Sequence, residues 1–246
     1  MLSSFDLIEQ IHDQKGFVKL GLIDPDKKND KKLLKIIQNI ESSNFDGILI
    51  GGSSICDEKF EYRVNQIKNN SKLPIILFPG SSEQISKEIN SILFLNLISG
   101  RNPKYLIEEQ VKGAMKIYQN KINAIPTAYI LLDGGSNTEV SKVSNTTPIS
   151  MNSTKSIIEH SLAGQYLGNK IIYLDCGSGA KNHIDFKLLN DLKTIIDVPI
   201  MVGGGIKNSN QIDAYSHTNL TLLRITYFFS IVIVIQTYFF NIVTNI

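Results

Sequence analysis

Tryptophan is absent from the 246 residues, and cysteine, histidine and arginine are scarce, at two, four and three copies. Cys56 and Cys176 stand far apart, and neither has a second cysteine or a histidine at metal-ligand spacing. That excludes a disulfide framework and a structural zinc, and it suits a reducing, cytoplasmic compartment. His12, His160, His183 and His217 share no metal spacing, so each reads as a surface or helix-end residue. A surplus of one charge is also missing. Lys and Arg number 25 against 23 Asp and Glu, a net +2 that is too balanced for a chain built to neutralise nucleic-acid phosphates. Residues 1–14 have no basic start followed by an apolar run, so no secretory signal is expected.

What is present is a globular composition, 42% hydrophobic and 20% charged, at a length close to the roughly 250 residues of one closed α/β barrel. Short apolar runs at 17–23, 47–50, 74–78, 92–98, 128–132, 171–174 and 199–202 read as parallel strands covered on both faces. Between them, 31–42, 57–69, 103–119, 153–167 and 185–196 carry helical spacing, as in Leu33, Ile36, Ile37 and Ile40. This alternation fits an open doubly wound sheet or a closed barrel. No dinucleotide glycine fingerprint follows the first run, and polar or glycine-rich clusters follow nearly every run, which favours a (β/α)8 TIM barrel with those loops on one rim.

Asp24-Pro25-Asp26-Lys27 follows the first expected strand and Gly51-Gly52-Ser53-Ser54 the second. Alone, the first cluster reads as helix punctuation. Beside the second it suggests a Mg²⁺-diphosphate site, with the Asp24 carboxylate and the Ser53 hydroxyl as oxygen ligands. Tyr173-Leu174-Asp175-Cys176-Gly177-Ser178-Gly179 and Gly203-Gly204-Gly205 end the sixth and seventh strands, a pair of backbone-donor loops where barrels recurrently bind phosphate. Asp175 is the candidate base, on the strand face it shares with Tyr173, with a structural loop cap as its bland alternative. Arg101, after the fourth strand, is a candidate diphosphate contact, with a helix-start hydrogen bond or a solvated charge explaining it almost as well.

Taken in order, these motifs resemble the geranylgeranylglyceryl phosphate synthase family, including its bacterial heptaprenylglyceryl phosphate synthase branch. The similar elements are the Asp24 and Gly51 clusters, Leu77-Phe78-Pro79-Gly80, Ser99-Gly100-Arg101-Asn102-Pro103, Asp133-Gly134-Gly135-Ser136, the Tyr173 loop and the Gly203 loop. The resemblance implies a modified (β/α)8 barrel that joins a polyprenyl group from its diphosphate to the 3-hydroxyl of sn-glycerol 1-phosphate, with Mg²⁺ as cofactor. It places Asp24 and Ser53 on the metal and Asp175 as proton acceptor, where the family usually has Glu. It assigns Tyr173, Leu174, Asp175, Cys176, Gly177, Ser178, Gly179, Gly204 and Gly205 to glycerol phosphate. It also implies small-molecule substrates and self-association; association with a membrane surface is a further expectation. Tyr105, Tyr118, Tyr129, Ile130 and the fourth strand are candidates for a prenyl groove, although barrel core accounts for them as well.

The end of the chain departs from the family. The family's eighth strand ends in Gly-Asn, but no glycine follows Gly205 here, and 225–246 carries no charge. An eighth strand at 219–225 would put a side chain at the phosphate. The organisation expected is a barrel over 1–218 and an aberrant apolar segment over 219–246. Three readings of that segment stand: a bilayer anchor, a divergent closing unit, or translated sequence outside the ancestral frame, which the abrupt end of the resemblance near Ser216 favours. Two alternatives to the prenyltransferase follow: another phosphate-binding barrel enzyme, and a catalytically impaired remnant.

Overall fold

The computed structural model describes residues 2–52, 57–206 and the backbone of 231–236. Seven parallel strands follow one another in chain order, β1 (Phe17–Ile23), β2 (Gly47–Ile50), β3 (Ile75–Leu77), β4 (Ser91–Asn96), β5 (Asn123–Leu131), β6 (Ile171–Asp175) and β7 (Ile200–Gly203). An eighth, β8 (Ile231–Gln236), pairs in parallel with both β7 and β1 and closes the ring. The expected position at 219–225 lies outside the described residues; the strand that closes the ring is drawn from the uncharged stretch that follows it. Its run Ile231-Val232-Ile233-Val234-Ile235 has the β-branched composition that a strand paired on both sides favours. No helix among the described residues is long and apolar enough to cross a membrane.

Period-two alternation divides the core. Val18, Leu20, Leu22, Leu49, Leu93, Tyr129 and Tyr173 form one cluster inside the ring. The alternate residues face outward into two clusters, one between β1–β4 and the helices α2 (Leu33–Ser42), α3 (Phe60–Asn70) and α4 (Glu109–Gln119), the other between β5–β7 and α6 (Thr154–Tyr166) and α7 (Phe186–Lys193). A short α5 (Glu139–Ser144) follows β5.

Two features differ from the sequence expectation. A helix, α1 (Ser4–Lys15), precedes the barrel. Ser3 and Asp6 form a capping box at its start, Gly16 at φ 79° ends it, and Phe5 and Ile8 pack onto the inner cluster. β5 begins five residues before the apolar run at 128, because Asn123, Pro126 and Thr127 interrupt its hydrophobicity. Pro126 has no N–H for a ladder, but its carbonyl accepts from Lys170 N at 2.8 Å, so the strand continues through it.

The end of β2 is the tightest point of the rim. A Cβ on Gly51 would lie 1.6 Å from the Phe78 carbonyl oxygen. The surrounding backbone is fixed by Gly51 N to Ile23 O (3.1 Å) and Phe78 N to Ile50 O (2.7 Å). Gly51→Ala is therefore expected to destabilise the fold by about 1–3 kcal/mol or more, read as a lowered midpoint in thermal or urea unfolding.

Candidate active site

A cavity lies over the carboxyl ends of the strands, and its two arms differ in chemistry. The polar arm carries Asp24, Gly51, Gly52, Asp175, Ser178 and Gly204; the apolar arm runs past Phe78, Ile85, Ile92 and Phe94 to Gly113 and Ile117 of α4. Tyr105, on a π-helical turn at Lys104–Glu108, joins Val140 and Val143 in the lining.

Asp175 ends β6, only 7% exposed, between the register pairs Leu131↔Asp175 and Asp175↔Gly203. Its Oδ2 accepts from the Tyr129 hydroxyl at 2.5 Å and its Oδ1 from Gly177 N at 2.8 Å, and the Tyr173 hydroxyl also hydrogen-bonds to the carboxylate. Burial pushes the Asp175 pKa up, against the opposing pull of these donors. Burial, reinforced by the negative Asp175, holds both phenols well above their ordinary value, so they stay protonated donors. The Tyr129 and Tyr173 rings stack at 5.0 Å, and Phe78 stands edge-on to both.

The two glycine loops meet. Gly177 (φ 86°), Gly204 (φ 75°) and Gly205 (φ 71°) occupy the left-handed region, and a Cβ on Gly204 would lie 2.5 Å from Gly177 O. At Gly203 a Cβ would lie 2.3 Å from the Tyr173 hydroxyl, so the glycine is what leaves that phenol its place. Several expected cradle groups are already committed. Gly177 N is bonded to Asp175 and Cys176 N to Gly203 O. The Leu174 side chain is buried outward among the helices, and the buried Cys176 thiol is pushed well up by desolvation, so neither side chain reaches a ligand.

Asp24 sits at the end of β1 with its side chain 13% exposed, paired to Lys28 Nζ at 2.9 Å, and its carbonyl accepts from buried Asn29 at 2.7 Å. Ser53 lies outside the described residues. Among the described residues no three His, Cys, Asp or Glu gather as a ready-made cage. A single rim carboxylate beside glycine loops fits Mg²⁺, which typically takes one or two carboxylates and completes its shell with water and substrate phosphate. Arg101 is exposed, its guanidinium donating to the carbonyls of Ile98 (3.2 Å) and Gly100 (2.6 Å), and it does not line the cavity. Of the groove candidates, Tyr105, Tyr129 and β4 line the apolar arm, whereas Ile130 packs outward against the helices and Tyr118 is 79% exposed.

Two partners escaped the sequence reading. Tyr129 stood among core and groove candidates, not as a partner of Asp175; its signal is the register pair Tyr129↔Tyr173, which places both phenols at one level. Gln84, 3% exposed, accepts from Gly52 N (3.3 Å) and Gly80 N (3.1 Å) and donates to Gly52 O (2.7 Å), so it staples the loops after β2 and β3. No short-range pattern marks it.

Comparison with known proteins agrees with this architecture. The chain belongs to the PcrB family, whose model matches residues 9–220. It is 40% identical over 191 residues to the geranylgeranylglyceryl phosphate synthase of Zunongwangia profunda (78% of this chain, 81% of that protein). To the protein of the same name from Pyrococcus horikoshii it is 39% identical over 191 residues (77% and 74%). A crystal structure of (S)-3-O-geranylgeranylglyceryl phosphate synthase from Thermoplasma acidophilum, in complex with its substrate sn-glycerol-1-phosphate, superposes with a TM-score of 0.83 at 29% identity. The match covers 96% of this chain and 91% of that one.

Tyr129→Phe removes a donor that lowers the Asp175 pKa, so that pKa moves further up. A base acts ionised, so in the function proposed below, where Asp175 is the base, the acid limb of the pH profile of kcat/KM should shift to higher pH. An unmoved acid limb would separate Tyr129 from the titrating group.

Proposed function

We propose that this chain forms an ether bond between a polyprenyl group, taken from its diphosphate, and the 3-hydroxyl of sn-glycerol 1-phosphate, releasing pyrophosphate. One observation carries the reading: a single cavity joins a buried carboxylate and paired glycine loops to an apolar arm of side chains. A sugar-phosphate isomerase or lyase has no use for that arm. The fold in this reading is the modified (β/α)8 barrel of the family, with its eighth unit divergent. Self-association and contact with a membrane surface belong to the same proposal.

The glycerol phosphate lies against the loops after β6 and β7, on Tyr173, the backbone of 174–179, Gly204 and Gly205. Asp175 accepts the proton of the attacking hydroxyl, and burial makes that carboxylate more basic than an exposed one. Phe78, Tyr129 and Tyr173 line the cavity beside Asp175, where aromatic π-electrons favour the positive charge that grows on the allylic carbon. The apolar arm takes the prenyl chain out of water and fixes its first carbon near the base. Mg²⁺ held by Asp24 and Ser53 would neutralise charge on the leaving diphosphate. Arg101 has no part in this proposal.

The purified chain, given Mg²⁺, geranylgeranyl diphosphate and sn-glycerol 1-phosphate, is expected to release pyrophosphate only when both substrates are present. Asp175→Asn should lower turnover by about 100-fold or more while sn-glycerol 1-phosphate still binds in calorimetry. Pyrophosphate release that is indifferent to sn-glycerol 1-phosphate would sink the proposal.

A further inference from the structure

Arg63 is the largest fully buried side chain among the described residues, 1% exposed, and the mechanism above does not use it. It rises from α3 beneath the rim. Its Nε and Nη2 meet the two oxygens of Asp30 at 2.5 and 3.2 Å, a bidentate fork, and its Nη1 donates to Asp57 Oδ1 at 2.6 Å and to the Pro25 carbonyl at 3.2 Å. Pro25 directly follows Asp24. The next carbonyl upstream, that of Asp24 itself, accepts from buried Asn29. The carbonyl of Asp24 and that of the residue after it are thus each held by a side-chain donor. The guanidinium in turn is pinned by carboxylates from two loops, Asp30 after β1 and Asp57 after β2. Its hydrogen bonds hold both carboxyls below the usual carboxylate range, so the cluster stays charged.

A lysine has one charged nitrogen and cannot make the fork and the carbonyl bond together. A plain structural ion pair would also need no bond to the backbone beside Asp24. We propose that Arg63 is a positioning residue for diphosphate and divalent-metal binding, acting through Asp24 by fixing the turn that carries it. The inference rests on the assignment of Asp24 given under the proposed function.

The test uses the full chain and the variants Arg63→Met, Arg63→Lys, Asp57→Asn, Asp24→Asn and Asp24→Asn/Arg63→Met, each assayed well below its melting temperature. Arg63→Met should raise the KM for prenyl diphosphate and weaken Mn²⁺ binding, followed by electron paramagnetic resonance with inorganic pyrophosphate present, by about tenfold or more. The KM for sn-glycerol 1-phosphate should stay within about twofold. Arg63→Lys and Asp57→Asn, which keep part of the network, should shift the same two quantities in the same direction by less, and they serve if the methionine variant does not fold. In the Asp24→Asn background Arg63→Met should add no more than about twofold, because the residue it acts through is already disabled. Multiplying effects of the two substitutions, or equal rises in both KM values, would overturn the role of Arg63 and leave that of Asp24 intact. An Asp24→Asn variant with normal Mn²⁺ binding and normal diphosphate KM would overturn both.

Discussion

Burying the Asp175 carboxylate costs several kcal/mol of lost hydration unless donors replace the water, and much of the rim is arranged to supply them. Tyr129 comes from β5, Tyr173 from two positions earlier on β6, and Gly177 N from the turn that follows. Each donor has its own requirement. Tyr129 and Tyr173 must share a level of the barrel, which the β5–β6 register provides, and Tyr173 needs the space that Gly203 leaves empty. Gly177 must turn through φ 86°, with no Cβ to strike Thr138 at 2.0 Å. The carboxylate thereby dictates residue types on three strands and one loop.

In the proposed function the same arrangement separates binding from proton transfer. Amides spent on holding Asp175 and on closing the loop after β6 are committed within the protein, so in the proposed function the phosphate cradle extends onto the loop after β7, where Gly204 lies against Gly177. Under the proposed function the weight of that cradle falls on these two loops, because no glycine follows Gly205 in the sequence. The close approach of Gly204 to Gly177 leaves the two loops little room to move against each other.

Much of this was legible in the residues alone, for definite reasons. Parallel strands buried on both faces announce themselves as apolar runs, so β1, β2, β6 and β7 fall where the sequence reading places them to within a residue or so. Asp175 and the glycine loops were legible because they combine residue type with position after a strand. The first half of β5 was not, because Pro126 breaks the pattern that a strand is expected to show. α1 was missed although its Ser3 and Asp6 capping pair stands in the sequence. Gln84, Arg63 and the role of Tyr129 share another reason. Gln84 reaches Gly52 across 32 residues, Arg63 reaches Pro25 across 38, and Tyr129 reaches Asp175 across 46. Partners that far apart are chosen by register and helix placement, which single-chain periodicity does not encode.

The apolar arm has a structural cause of the same long-range kind. β3 and β4 share a single register pair, Leu77↔Ile92, whereas β4 and β5 share six. The ring is loosest at β3–β4, and the arm runs there, past Phe78, Ile85, Ile92 and Phe94. A loosened ladder leaves backbone groups wanting partners. Carboxamide side chains take up part of that need around the arm: Gln84 bonds the backbone of Gly52 and Gly80, Gln110 the carbonyls of Leu95 and Tyr105, and Asn96 the carbonyl of Leu106. The π-helical turn at Lys104–Glu108 serves the same end, since it brings the Tyr105 carbonyl to both Gln110 and Leu97 N. A barrel can therefore open a lipophilic arm in its side where polar side chains around the arm bond backbone groups in place of part of the missing strand pairing.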